Sequence, residues 1–218
     1  MNLQDSEISS WKKEFLDDPK NSWFCDVPDD FIKDKFNLWG LDTNPPPNLK
    51  NIISGISKSD YTHYFTICTN IITGQNSLAS VTKSLQNNVL RVLPFVYGMI
   101  HARFVITPGG ISQLSEKFSR HTFGVCPRIN CEREPLLPIG SSSTPGESMV
   151  SGFCPCCRKV YTPRPVIEID GAFFGPNAAH ILVDHLKILN YHMNFRPFVR
   201  EACGFKVYDE KQFKENRQ

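Results

Sequence analysis

The chain has no long uninterrupted apolar run. Its most hydrophobic stretch, Val92 to Ile106, is broken by Pro94, His101 and Arg103 and falls short of the ~20 apolar residues that a membrane-spanning helix needs. It reads as a core helix. Met1 to Glu7 holds neither a basic leader nor the apolar segment of a secretory signal, so the expected location is the cytoplasm and nucleus, with no membrane partner, where thiols stay reduced. Charge of one sign is not in excess either, and a formal net charge of +2 decides nothing about nucleic acid. Catalytic signatures are missing too. The sequence contains no G-x-G-x-x-G, no G-x-x-x-x-G-K-[ST] and no H-R-D or D-F-G triplet, so neither nucleotide binding through those loops nor kinase chemistry is encoded. G-x-S-x-G and H-E-x-x-H are absent, and no internal repeat is evident.

What the chain does have is a pair of cysteine turns. Cys126-x4-Cys131 and Cys154-x2-Cys157 are separated by a loop rich in Pro, Gly and Ser, the pattern of a single tetrahedral Zn²⁺ site in which each turn supplies two thiolates. Four thiolates leave no position for a catalytic water, so the expected role is structural, a zinc ribbon with one metal per chain whose binding energy is folding energy. Disulfides or free core thiols are the alternatives, and a reducing compartment argues against the first. Cys156 is a fifth thiol in the ribbon and leaves the assignment of the second pair open by one position.

Around the ribbon the expected fold class is α+β, with a division at 1–121 (helical domain), 122–165 (ribbon and dimerisation region) and 166–218 (C-terminal helix and docking tail). Ser6 or Ser9 is a plausible N-cap before Trp11, Phe15 and Leu16. A second helix opens at Pro28-Asp29-Asp30 and carries Phe31, Ile32, Lys35 and Phe36 towards Gly40. Pro45-Pro46-Pro47 reads as a stiff linker. Short helices are predicted over Leu49 to Ile56 and Tyr61 to Thr73, with 73–88 unassigned, then a helix apolar nearly all round over Val89 to Thr107. Pro108-Gly109-Gly110 breaks it, and Ile111, Leu114 and Phe118 restart a helix ending near His121. Phe153 and Val160-Tyr161-Thr162 read as short antiparallel strands, Asp170-Gly171 as a turn, and Ala178 to Leu189 as an amphipathic helix. His180 and His185 are five apart, which does not stack two rings on one helix face, and His101 reads as a core histidine with a hydrogen-bond partner.

The cysteines do not stand alone. The run Phe123-Gly124-Val125-Cys126-Pro127-Arg128-Ile129-Asn130-Cys131, then Leu137-Pro138-Ile139-Gly140, Pro145-Gly146-Glu147 and Cys154-Pro155-x-Cys157, resembles the regulatory beta subunit family of casein kinase II. Trp23-Phe24-Cys25, Phe31-Ile32 with Asp34-Lys35-Phe36-Asn37-Leu38, Tyr97 to Arg103, Asp170 to Gly175 and Gly204-Phe205-Lys206 fall in the family's order. The resemblance covers most of residues 8 to 208.

It implies a non-catalytic subunit that dimerises through its ribbon and docks two catalytic alpha subunits of a Ser/Thr kinase, modulating activity and substrate choice. Pro127, Ile129 and Val160, beside the thiolates, would form a small apolar self-complementary face; the competing reading is packing over the metal. The family's docking element matches Cys203, Gly204, Phe205, Lys206 and Val207, with Phe205 and Val207 on one strand face as anchors. This chain departs from the family in three ways. Cys203 stands where the family has an aromatic. Between Leu41 and Pro94 the only acids are Asp42 and Asp60, in place of the family's dense acidic loop. Ser9 and Ser10 precede Trp11-Lys12-Lys13 rather than acids, which argues against autophosphorylation there. The alternative function is a zinc-ribbon nucleic-acid-binding or transcription-associated factor, with Arg120, Arg128, Arg158, Lys159 and Arg164 against phosphates.

Overall fold

A computed structural model describes residues 10–49, 53, 56–188 and 199–207. Its first helix, α1 (Trp11–Asp17), is capped by Ser10, whose Oγ accepts from the Lys13 amide. The predicted caps Ser6 and Ser9 lie outside the described residues. The predicted helix after Pro28 is in fact two, α2 (Asp29–Lys33) and α3 (Lys35–Leu38). Asp34 causes the break: its backbone is extended and its carboxylate accepts from the Phe36 amide at 2.9 Å, a local bond that competes with helix continuation. As a result only Ile32 of the predicted stripe is buried, while Phe36 points to solvent. The proline run is stitched down, with Pro46 and Leu49 buried and the Asn48 amide donating to the Pro145 carbonyl. Most of the predicted Leu49–Ile56 helix lies outside the described residues.

Two longer helices form the centre. The first, α4 (Lys58–Ile72), starts three residues before its predicted onset because Ser57 caps it. The second, α5 (Lys83–Phe104), starts six residues early and buries Val89, Val92, Leu93, Val96, Tyr97 and Ile100. Pro108 both ends α5 and begins α6 (Pro108–Ser119), where it occupies the first turn behind the Thr107 cap, a position in which a missing N–H costs nothing. Among the described residues no single helix is long and apolar enough to cross a membrane; α5 and α6 pass such a test only as a pair bent by 100°.

The ribbon contributes an antiparallel sheet in the order β1 (Leu137–Ile139), β2 (Ser151–Cys154), β3 (Lys159–Tyr161). The register aligns Leu137, Phe153 and Val160 across it, so one apolar row runs from the buried centre to an exposed edge. Helix α7 (Ala178–Ile188) follows, and His180 sets its ring edge-on against Phe153 at 5.4 Å. The last described element is a hairpin, β4 (Glu201–Ala202) with β5 (Phe205–Lys206). Helices, small antiparallel sheets and the cysteine cluster make this an α+β fold with a zinc-ribbon-like site.

Polar side chains, several of them buried, tie the helical part to the rest. The segment Ser22 to Val27 leaves a turn at Ser22–Trp23 and belongs to no described strand, and side chains of α5 and α6 bond its backbone at Ser22, Cys25, Asp26 and Val27. Gln113 exchanges two bonds with Asp26, at 2.8 and 2.9 Å, and Lys117 donates to the Ser22 carbonyl. Tyr97 accepts from the Val27 amide and donates to the Cys25 carbonyl. His101, fully buried, accepts from the Cys25 amide at 2.9 Å through Nε2 and donates from Nδ1 to the Phe173 carbonyl at 2.7 Å. Leaving the buried Cys25, Val27 and Phe173 backbone groups unpaired would cost about 1–3 kcal/mol each. Trp23 packs edge-on against Phe123 and Phe174, which makes the core continuous from the helices into the ribbon. Gly98 permits this closeness, since a Cβ there would sit 2.5 Å from the Phe173 ring.

Candidate metal centre

The two cysteine turns converge. The Sγ atoms of Cys126, Cys131, Cys154 and Cys157 all lie within 4.8 Å of one another and are buried. Local backbone explains how. After Cys126 a single 3-10 turn, Ile129–Cys131, is stopped by Glu132 and Arg133 in left-handed conformations. The Cys126 amide then bonds the Glu134 carbonyl at 2.7 Å and the Leu136 amide the Gly124 carbonyl at 3.0 Å, which closes the first turn into a knuckle. The second lies between β2 and β3: the Arg158 amide returns to the Cys154 carbonyl at 2.9 Å, and the Cys157 amide donates to Cys154 Sγ at 3.5 Å. An amide aimed at a sulfur favours the thiolate over the thiol.

The spacing and donor set fit zinc. Zn–S bonds of about 2.3 Å in a tetrahedron place sulfurs about 3.8 Å apart; Cys126 and Cys157 are 3.9 Å apart. No disulfide joins any described cysteine. Burial pushes the Cys131 thiol up to about 12, and neighbouring thiols reinforce the rise. Cys154 is pushed up further by the same burial. Burial would also raise Cys157, but the Tyr161 hydroxyl 3.2 Å away and the Cys154 and Cys131 thiols bring it down to about 7. The Cys131 and Cys154 thiols therefore resist ionising on their own, and a divalent cation bound among the sulfurs would supply the missing counter-charge while displacing their protons.

The second pair has two neighbouring thiols to choose from. Cys157, not Cys156, belongs to the cluster. Cys156 is nonetheless buried, and its thiol hydrogen-bonds Cys131. His180 is exposed against Phe153 and joins no metal cluster among the described residues. His101 is the core histidine that its apolar neighbours predict, held neutral by burial, which lowers it to about 4.

The other candidate residues fall at the surface. Ile129 is 92% exposed, Val160 54%, and Pro127 is exposed as well. Of the residues expected to dock, Cys203 and Gly204 form the turn of the β4–β5 hairpin, Phe205 lies in β5 and Val207 follows it. Cys203 and Gly204 both have positive φ, 51° and 82°, the pattern of a type I′ turn whose twist matches its strands. Ala202 pairs with Phe205, which is 76% exposed, and Val207 is half exposed. The alternative readings for Ile129 and Phe205, packing over the metal or on the chain's own core, do not fit side chains this open. Of the arginines in the nucleic-acid alternative, Arg120 is committed to Glu116 on its own helix. Sequence reasoning missed β1 and the reciprocal Gln113–Asp26 pair; Leu137-Pro138-Ile139 is too short for a periodic signal.

The fold and site define a class, an α+β chain that carries a four-cysteine, zinc-ribbon-like site. The comparisons narrow it. The family model for the casein kinase II regulatory subunit matches residues 10–206. Casein kinase II subunit beta' of Drosophila melanogaster is 34% identical over 208 residues, covering 94% of this chain and 87% of that protein. Casein kinase II subunit beta of Schizosaccharomyces pombe is 31% identical over 95% of this chain and 85% of its own length. That of Candida albicans is 33% identical over 92% and 73%. The chain belongs to the casein kinase II regulatory subunit family, whose members are non-catalytic.

Proposed function

We propose that this chain is the dimerising, zinc-bearing regulatory subunit of a casein kinase II type Ser/Thr kinase. The observation that carries the reading is the convergence of Cys126, Cys131, Cys154 and Cys157 within a chain matched to the family almost throughout. Zn²⁺ on those four sulfurs stiffens the knuckles, and Pro127, Ile129 and Val160 then form part of a two-fold contact between copies. The hairpin at Cys203, Gly204, Phe205 and Val207 inserts Phe205 into an apolar groove of a catalytic subunit, one per protomer. The family's aromatic at the Cys203 position is replaced by a thiol, so Phe205 bears most of that contact. The functional division follows the predicted boundaries 1–121, 122–165 and 166–218, and the complex works in the cytoplasm and nucleus.

Co-expression with a casein kinase II catalytic subunit, native mass measurement and metal analysis test the reading together. The expected result is two copies of each subunit with one zinc per regulatory chain. A stable monomer, a zinc-free dimer or failure to retain the catalytic subunit would each overturn the corresponding part.

A further inference from the structure

A groove of about 580 Å³ lies between the α2–α3 segment and α4. Ile32, Leu38 and Phe65 supply apolar lining, and Thr66, Thr69 and Thr73 follow one side of α4. Trp39 lines the groove and is 81% exposed, and Phe36, three residues earlier on the same segment though outside the lining, is 86% exposed. Two large aromatics this exposed on one short segment are uncommon on a surface with no partner. The segment is also held still: the Arg103 guanidinium donates to the carbonyls of Asn37 at 2.8 Å and Trp39 at 2.9 Å, and the Thr62 hydroxyl ties down the Asp42 carbonyl. A segment whose backbone is already fixed loses less conformational entropy when covered.

The charge on this groove indicates what covers it. Lys33 and Lys35 line it, both exposed and without an ion pair among the described residues. Asp42 is the one acid in the lining; Asp34, between the lysines, spends its carboxylate on capping the Phe36 amide. From Leu41 to Pro94 the chain carries only Asp42 and Asp60 as acids, against Lys50, Lys58, Lys83 and Arg91. We propose that this groove is a docking site for an acidic peptide segment of a partner protein, with an apolar side chain of that segment seated against Trp39 and its carboxylates facing Lys33 and Lys35. The proposal rests on the groove itself rather than on kinase docking, so it survives or fails separately from the proposed function.

The probe is a short fluorescent peptide of Asp and Glu around a central Leu-Phe pair, with a Lys-for-acid counterpart, titrated onto the full chain by anisotropy. The acidic peptide should bind and the basic one should not. Affinity should fall at least about tenfold in Trp39→Ala and again in a Lys33→Glu, Lys35→Glu double variant, as expected for an aromatic anchor and its charge partners. Raising salt should weaken binding. Trp23 is buried and Trp11 half-buried, so acrylamide quenching reads mainly Trp39 and should fall when the peptide is bound. Equal binding of both peptides, unchanged affinity in the variants, or Trp39 shielded instead by a second copy of the chain in sedimentation at rising concentration would overturn the proposal. Circular dichroism of the surface variants separates loss of binding from loss of fold.

Discussion

Acidification should unlock the joint between α5, the Ser22–Val27 segment and the Phe173 turn. His101 is fully buried, with Nε2 accepting from Cys25 and Nδ1 donating to Phe173. Only the neutral ring can do both, because a second proton on Nε2 would face the Cys25 amide. Burial, more than anything else, lowers its pKa from 6.5 to about 4. Between those values the unfolded chain binds a proton that the folded chain refuses. Stability from this group is therefore fully present above about pH 6.5, falls as the pH drops and levels off below about 4. A shift of roughly 2.5 units at 1.36 kcal/mol per unit amounts to about 3 kcal/mol, a large share of the stability of an ordinary domain. The perturbation is His101→Gln, which offers one donor and one acceptor but does not titrate. Urea midpoints measured from pH 7.5 to 4.0 would be compared with wild type. Protonation of the ribbon thiols lowers stability over the same range in both proteins, so the quantity of interest is the difference in slope. The variant should be less stable at pH 7.5 yet lose about 3 kcal/mol less on acidification. Parallel pH curves would refute the reasoning.

Cys131→Ser should abolish zinc retention and dissociate the dimer, with structural zinc worth on the order of 10 kcal/mol in peptide sites; plasma emission metal analysis with sedimentation checks both. Cys156→Ala should keep one zinc per chain whereas Cys157→Ser should not, and the reverse pattern would mean that the other sulfur is the ligand. Gly98→Ala drives a Cβ to 2.5 Å from the Phe173 ring and should cost about 1–3 kcal/mol as overpacking, read as a lowered urea midpoint at unchanged zinc content. Phe205→Ala should weaken binding to a casein kinase II catalytic subunit by roughly thirtyfold, about 2 kcal/mol, and Cys203→Tyr should strengthen it. Calorimetry that finds Phe205→Ala unchanged would remove the hairpin from the docking role.

The sequence by itself determined the parts whose physics is local or chemical. Cysteine spacing identified four sulfurs of one cluster because each knuckle is built from consecutive residues. The nearly all-round apolar run of α5 and the proline and glycine signals around α6 were legible for the same reason, although α5 begins six residues before its predicted onset. Motif order then pointed to the family. Spacing named Cys157 but left Cys156 open one position away, because cluster membership depends on which sulfur faces two others brought in by a different turn. The split at Asp34 was missed since a capping carboxylate outcompeted a helical stripe that seemed continuous. The roles of Gln113, Tyr97 and His101 in closing the backbone of Ser22–Val27 were also hidden, because their partners lie some seventy to ninety residues away in sequence. Long-range pairing of polar groups leaves no periodic trace; only packing decides which buried donor meets which acceptor, and that packing sets the helices, the ribbon and the aromatic groove in their places.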